Sequence, residues 1–145
     1  MNEDFLIRID GRMEQGDESD SVQLMTRGSF VRRGGSFFIT YEESETTGYA
    51  GCVTTVKVAE DGRRVAMLRY GRAASQLIIE KGVRHVCHYD TGVGALSLGV
   101  AADEIEHALT DEGGEVRFSY TLDSGTQELS RNLVKISVKR TGPLT

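Results

Sequence analysis

The stretch FLIRIDGRM, residues 5–13, alternates between apolar and polar side chains. Phe5, Ile7, Ile9 and Met13 fall on one face of an extended chain, and mostly charged residues occupy the positions between them. Because successive side chains of a β-strand point to opposite faces, a period of two is typical of a strand with one buried face. The segment is therefore predicted to be a strand whose odd-numbered residues face the core.

The same period recurs along most of the chain. Further strand segments are predicted at residues 21–28, 35–43, 51–60, 65–71, 75–82, 83–90, 95–102, 104–110, 115–123 and 127–139. Most are joined by short turns that contain glycine, and the single proline lies in the C-terminal tail, which suits central strands that need every backbone N–H. Only residues 102–109 could be helical, with Asp103 as N-cap. The strand interpretation is favoured there, because Ile105, His107 and Leu109 alternate.

Ten or eleven consecutive strands need a way to protect their sheet edges. Closure into a barrel removes the edges outright. The fold is predicted to be all-β, a single antiparallel up-and-down barrel formed by residues 1–145 as one domain. At about eight strands, a barrel interior is either filled by side chains or holds one small ligand.

Charge and composition narrow the class of protein. The net charge is −5, and Arg32-Arg33 is the densest basic cluster, so a nucleic-acid partner is not expected. The N-terminus lacks the basic start and apolar run of a secretory signal, and no run approaches the ~20 apolar residues of a membrane helix. These features predict a cytoplasmic protein without a membrane partner. Cys52 and Cys87 fit a reducing compartment, although a disulfide between them remains an alternative.

Two longer stretches point to a known family. They are LRYGRAASQLIIEKGVRHVCHYDTGVGALSLGV, residues 68–100, and GGEVRFSYTLDSGTQELSRNLVKISVK, residues 113–139. The chain resembles the YwiB-like family of uncharacterised bacterial proteins, a domain of unknown function. The distinctive pieces are Ser75-Gln76, Arg84-His85, Tyr89-Asp90-Thr91 and Ser130-Arg131-Asn132. The resemblance implies a calycin-like barrel, similar in architecture to lipocalins and streptavidin, and it implies no reaction and no cofactor.

The stretch VRHVCHYD, residues 83–90, is rich in reactive side chains. In a strand, His85 and His88 point to opposite faces and cannot bind one metal ion. A metal site would have to combine His85 and Cys87 with a remote ligand such as His107, without the paired ligands that mark strong metal motifs. Catalysis by Cys87 with His85 as base would lack a recognisable oxyanion hole. A core cysteine beside a hydrogen-bonded histidine is the favoured interpretation, so no metal is predicted, and an enzyme that uses Cys87 with His85 remains a less favoured alternative.

Several polar residues occupy the same alternating positions of a strand as apolar residues and are therefore predicted to face inward. These candidate ligand-binding residues are Arg69, His85, Tyr89, His107, Tyr120 and Arg131. In the last segment, Leu129 and Leu133 are odd-numbered whereas Val134 and Ile136 are even-numbered, which predicts a β-bulge near Asn132-Leu133. Such a bulge would place Arg131 at the barrel mouth.

Two functional hypotheses follow from this pattern. The first is a binding protein for a small, anionic and amphipathic ligand, with Arg69, His85, His107 and Arg131 at one polar end of a cavity. Internal ion pairs would explain the same arginines without a ligand. The second is an interaction or structural module with a filled barrel, which could form a homodimer.

Overall fold

The structure is a computed structural model, and it describes residues 4–47, 49–71, 74–90 and 95–141. Within these ranges the chain forms ten β-strands. They are β1 Phe5–Gln15, β2 Glu18–Arg33, β3 Ser36–Glu42, β4 Val53–Ala59, β5 Arg64–Tyr70, β6 Ser75–Glu80, β7 Arg84–Asp90, β8 Ala95–Thr110, β9 Gly113–Asp123 and β10 Glu128–Arg140. A short 3-10 turn, Glu45–Thr47, lies between β3 and β4.

Each strand pairs antiparallel with the next one in the chain, and β10 pairs with β1. The predicted single up-and-down barrel is confirmed. Residues 102–109, for which a helix was the alternative, lie within β8 and are extended. No helix among the described residues has the length and apolarity needed to cross a membrane.

The alternating pattern decides which side chains enter the core. In β1, Phe5, Ile7 and Ile9 are buried, as the odd-numbered face of that strand predicts. The corresponding faces of the other strands meet them in one hydrophobic cluster. Its largest fully buried side chain is Phe118, in β9. The described inner faces of the strands thus form one buried apolar core around this residue.

The predicted bulge in β10 exists, but its position was wrong. The register between β9 and β10 shifts between Glu128 and Ser130 rather than near Leu133. From Ser130 onward the even-numbered face is the inner one, and Leu129 and Leu133 are exposed on the outside. The bulge was predicted near Leu133 because apolar residues were taken to mark the inner face of the strand. Leu133 faces outward, and single apolar residues on a protein surface are common.

The strands differ in length, and this opens the barrel wall at one end. Strand β2 has 16 residues, whereas β3 has seven. Residues 18–28 of β2 pair with β1, but its pairing with β3 begins only at Gly28. The segment 19–27 therefore has a strand partner on one side, and the loop that contains Glu45–Thr47 contacts β2 on its other side.

A charged clamp crosses three strands on the outer surface. The guanidinium of Arg84, in β7, passes over Gly99 in β8 and donates two hydrogen bonds to the Asp123 carboxylate in β9. A Cβ atom at position 99 would collide with that guanidinium. Glycine is thus required because the clamp lies directly on the backbone.

The clamp predicts a pH-dependent stability. Hydrogen bonds from Arg84 hold the pKa of Asp123 below its usual value. A depressed pKa in the folded state gives stability that is present above the unfolded pKa of about 4 and is lost as pH falls through the folded pKa. Asp123→Asn should therefore lower the free energy of unfolding at about pH 7 and match the wild type at about pH 2, as measured by urea denaturation. The asparagine can still accept the Gly125 N–H, so an equal deficit at both pH values would contradict the clamp.

Candidate functional site

A pocket of about 370 Å³ lies at the end of the barrel that carries the β1–β2 turn. We call it the mouth pocket, and it forms where the β3–β4 loop lies next to β2. The described residues that line it are Gly11, Arg12, Met13, Asp20, Val22, Glu43, Thr47, Tyr49, Arg69, Tyr120, Asn132, Leu133 and Val134. A pocket of this size falls in the range of small-molecule sites.

Arg69 projects into the mouth pocket from β5. It continues the inner face of β5 set by Val65 and Met67, as the phase of that strand predicts. The ring of Tyr49 stacks against its guanidinium, with 3.5 Å between the guanidinium carbon and the ring centroid. The aromatic ring covers one face of the guanidinium, and a cation over a tyrosine ring is held there electrostatically.

A carboxylate stands in the same pocket. Thr54, in β4, donates a hydrogen bond from its hydroxyl to Glu43. The Glu43 backbone N–H bonds to the Cys52 carbonyl at 2.9 Å, which ties the two ends of the β3–β4 loop together. Burial, and secondarily the charge of Glu43, raises the pKa of Tyr41 far above its usual value, so its phenol stays protonated.

Tyr120 forms the opposite wall of the pocket. Its ring stacks nearly parallel to Phe118, with the two centroids 6.2 Å apart. Next to it, Asn132 donates from Nδ2 to the buried Ser130 hydroxyl at 3.0 Å. Tyr120 thus joins the apolar core to the polar pocket, which suits a side chain with an apolar ring and a polar tip.

His107 lies toward the opposite end of the barrel. Its Nε2 donates to the Glu60 carbonyl in the β4–β5 turn at 2.8 Å, and its Nδ1 accepts from the Leu109 N–H at 3.1 Å. These partners assign the neutral tautomer with the proton on Nε2. Both ring nitrogens are engaged by the backbone, so His107 fastens the β4–β5 turn to β8.

His85 and Arg131 are not among the described residues that line the mouth pocket. His85 pairs with Glu80 at 2.9 Å beside the β6–β7 turn. The side chain of Arg131 is 67% exposed on the outer surface and pairs with Glu128 at 3.4 Å, which corrects its expected position at the mouth. The backbone of Tyr89, in β7, pairs with Ser75 of β6 and with Leu96 of β8, but its side chain lies outside the described part of the structure. Of the six candidates, the described structure brings Arg69 and Tyr120 together, and the single polar end expected from Arg69, His85, His107 and Arg131 is not formed.

Two pocket residues did not emerge from the sequence analysis. Glu43 was not among the predicted site residues, yet it is half-buried and continues the odd-numbered inner phase of Phe37, Ile39 and Tyr41. That phase could have identified it. Tyr49 lies in a loop without a periodic pattern, so only the three-dimensional path of the loop brings it to Arg69.

The cysteines take structural positions. Cys52 and Cys87 are both buried and free, so the alternative of a disulfide is not realised. The Ile78 N–H donates to the Cys87 sulfur at 3.4 Å, where the β6–β7 ladder is interrupted. Among the described residues, His, Cys, Asp and Glu form no group of three that could hold a metal ion.

The fold and the pocket define a small antiparallel β-barrel with a mixed-charge cavity at one mouth. A family model described as "Domain of unknown function (DUF1934)" matches residues 7–136, and the chain belongs to this family. The crystal structure of the ywiB protein from Bacillus subtilis has a similar fold, with a TM-score of 0.77 and 19% sequence identity. The match covers 96% of this chain and 92% of that one. A search of curated proteins gives no match.

Proposed function

We propose that this protein binds a small amphipathic molecule with an anionic group in its mouth pocket, in the cytoplasm. The observation that carries the proposal is the position of Arg69, whose guanidinium lines a cavity of about 370 Å³ instead of the outer surface. A guanidinium presents a fixed set of N–H donors that suits carboxylates and phosphates.

The rest of the pocket supports an amphipathic ligand. Met13, Val22 and Val134 provide an apolar wall, and the Tyr120 ring continues it. Small-molecule sites commonly combine such walls with a few polar groups that fix orientation. The ligand's anionic group would therefore lie at Arg69 and its apolar part against β1, β2 and β10.

The filled-barrel alternative has less support, because the interior is packed around Phe118 but hollow at the mouth. Self-association is a separate hypothesis. The outer surface of β7 exposes 63% of Val86 beside the half-buried Ile78 of β6, and an exposed apolar patch of this kind is often a contact surface. The mouth pocket requires no second copy.

We expect native mass spectrometry of the protein taken gently from cell extract to show a bound small-molecule mass. Arg69→Gln should weaken binding at least about tenfold, because a charge-assisted hydrogen bond contributes about 1.5–3 kcal/mol. The matched control is Arg64→Gln, which removes an exposed arginine on the outer face of the same strand. A bare polypeptide mass in the wild type, or equal losses in the two variants, would contradict the proposal.

A further inference from the structure

We propose that a groove on the outer wall of the barrel binds an extended segment of a partner protein, in which an acidic side chain stands beside apolar ones. We call it the wall groove. It has a volume of about 390 Å³ and crosses β3, β4, β5 and β6. The described residues that line it are Ser36, Lys57, Ala59, Arg64, Ala66, Leu68, Gln76 and Ile78. None of these lines the mouth pocket, so the inference goes beyond the proposed function.

Small side chains form the floor of the wall groove. Ala59 in β4 and Ala66 in β5 face outward, because the buried residues of both strands alternate with them. Ile78 pairs with Ala66 across the β5–β6 ladder, and Leu68 follows two residues later on the same face of β5. All four are half-buried. The larger apolar side chains therefore flank the alanines and leave an apolar depression between the strands.

The groove has the dimensions of an extended peptide. Neighbouring strands lie about 4.8 Å apart, so a path from β3 to β6 covers roughly 14 Å. An extended chain advances about 3.3 Å per residue, and about four residues therefore span the groove. A peptide segment follows such a path across four strands, which is the reason to assign the groove to a protein partner.

Ser36 presents a buried hydroxyl to the groove. The residue is 8% exposed, and its hydroxyl has no hydrogen-bond partner among the residues that the structure describes. A hydroxyl withdrawn from water is unfavourable unless it is hydrogen-bonded. An acceptor oxygen from a bound segment would satisfy it.

Lys57 supplies a cation next to this hydroxyl. It lies two residues before Ala59 on the outer face of β4, and Ala59 pairs with Ser36 across the β3–β4 ladder. Its ammonium lies 5.6 Å from the centroid of the Phe38 ring, and it forms no ion pair with a described carboxylate. A carboxylate placed over the small Ala59 side chain would reach both the ammonium and the hydroxyl, which is the charge complementarity that favours an acidic partner.

The acidic residues that border the groove are engaged by other side chains. Glu60 pairs with Arg32, and Glu80 pairs with His85. Arg64 stands directly opposite Glu80 in the β5–β6 ladder, so its charge is balanced across the two strands. The lysine of the groove is thus the cation to which we assign the carboxylate of the partner.

The wall around the groove is poor in charge, as the centre of a protein interface usually is. The outward residues in the two middle rows of β3–β6 are Phe38, Thr40, Thr55, Lys57, Ala66, Leu68, Gln76 and Ile78. Lysine is the one charged residue in this set. On the wall formed by β8–β10, by contrast, Arg117 pairs with Glu106 and Lys135 pairs with Glu115. The contrast indicates a contact surface on the side of the groove and a solvated surface on the other.

Phage display of random short peptides against the folded wild-type protein tests the inference. We expect the selected peptides to share an acidic residue beside apolar residues. Fluorescence polarisation with a selected peptide should show that Ala66→Arg weakens binding at least about tenfold, because the arginine occupies the floor of the groove. Ala108→Arg is the matched control and should bind as the wild type does, because Ala108 is exposed on the outer face of β8.

A charge exchange assigns the carboxylate of the peptide to Lys57. Lys57→Glu should weaken binding at least about tenfold, and replacing the acidic residue of the peptide by lysine should restore binding to this variant. Lys139→Glu, on the outer face of β10, makes the same change in net charge away from the groove and is the control. Melting temperatures of all variants verify that they are folded.

Three results would overturn the inference. The first is a lack of selected peptides on the folded wild type, or peptides that bind Ala66→Arg as tightly as the wild type. The second is a set of peptides without an acidic residue, or no rescue in the charge exchange with Lys57. The third is light scattering that shows a dimer which Ala66→Arg dissociates, because the wall would then belong to a second copy of the chain.

Discussion

Replacement of Phe118 by alanine is expected to lower the free energy of unfolding by about 3–5 kcal/mol. Phe118 is 0% exposed and lies in the centre of the barrel, where its neighbours on the paired strands are Ile105 and Val134. Truncation removes a large apolar ring and leaves a cavity that surrounding strands cannot fill, because hydrogen bonds on both sides hold them in register. Because Phe118 also stacks on Tyr120, the wall of the mouth pocket would loosen as well.

The matched control for this variant is Phe38→Ala. Phe38 lies on the outer face of β3, half-buried, with the Lys57 ammonium 5.6 Å from its ring centroid. Its removal should cost about 1 kcal/mol or less, because the ring is already in contact with solvent. Urea denaturation followed by circular dichroism measures both values. Similar losses for the two variants would contradict the position of Phe118 in the core.

Gly28→Ala is expected to destabilise the barrel by about 3 kcal/mol, near the upper end of the usual cost of overpacking. Gly28 is buried at the point where β2 begins to pair with β3. A Cβ atom there would collide with the backbone carbonyl of Thr40 and with the side chain of Ile7. The carbonyl belongs to the adjacent strand and cannot rotate away, so the two strands would have to separate.

Gly11→Ala provides the control. Gly11 is also on the inner face of a strand, but the nearest heavy atom to an added Cβ is the Val22 carbonyl oxygen at 4.0 Å. Alanine fits without strain and reduces the entropy of the unfolded chain, so the free energy of unfolding should stay within about 1 kcal/mol of the wild type. Thermal unfolding of both variants distinguishes them. A stable Gly28→Ala protein would mean that β2 and β3 are farther apart than described.

The sequence predicted the barrel because strand periodicity is a local property. The inner positions of Phe5, Ile7 and Arg69 follow from alternation within a single strand. The segment around His107 was predicted as a strand for the same reason, and β8 confirms it. The bulge in β10 was predicted at the wrong residue because Leu133 was assumed to face the core. Leu133 is exposed, and an alternating pattern by itself does not distinguish an exposed leucine from a buried one.

It was harder to predict which inward-facing residues lie together in one site, because this depends on how the strands are offset around the barrel. His107 and Arg69 both face inward from their strands, yet they belong to opposite ends. The offset between neighbouring strands accumulates around the barrel, and no single segment encodes it. Tyr49 reaches Arg69 through the path of a loop, which the sequence pattern does not specify.

The unequal pairing of β2 has a consequence for how molecules would enter. Along residues 19–27, backbone amides that point away from β1 lack a strand partner among the described residues. We expect these amides to exchange their hydrogens with solvent sooner than those of residues 6–13 in β1, which pairs with β2 on one side and with β10 on the other. Local opening of the barrel wall along this segment would separate β2 from the β3–β4 loop. A small molecule would then enter the mouth pocket laterally, through the wall, rather than along the barrel axis.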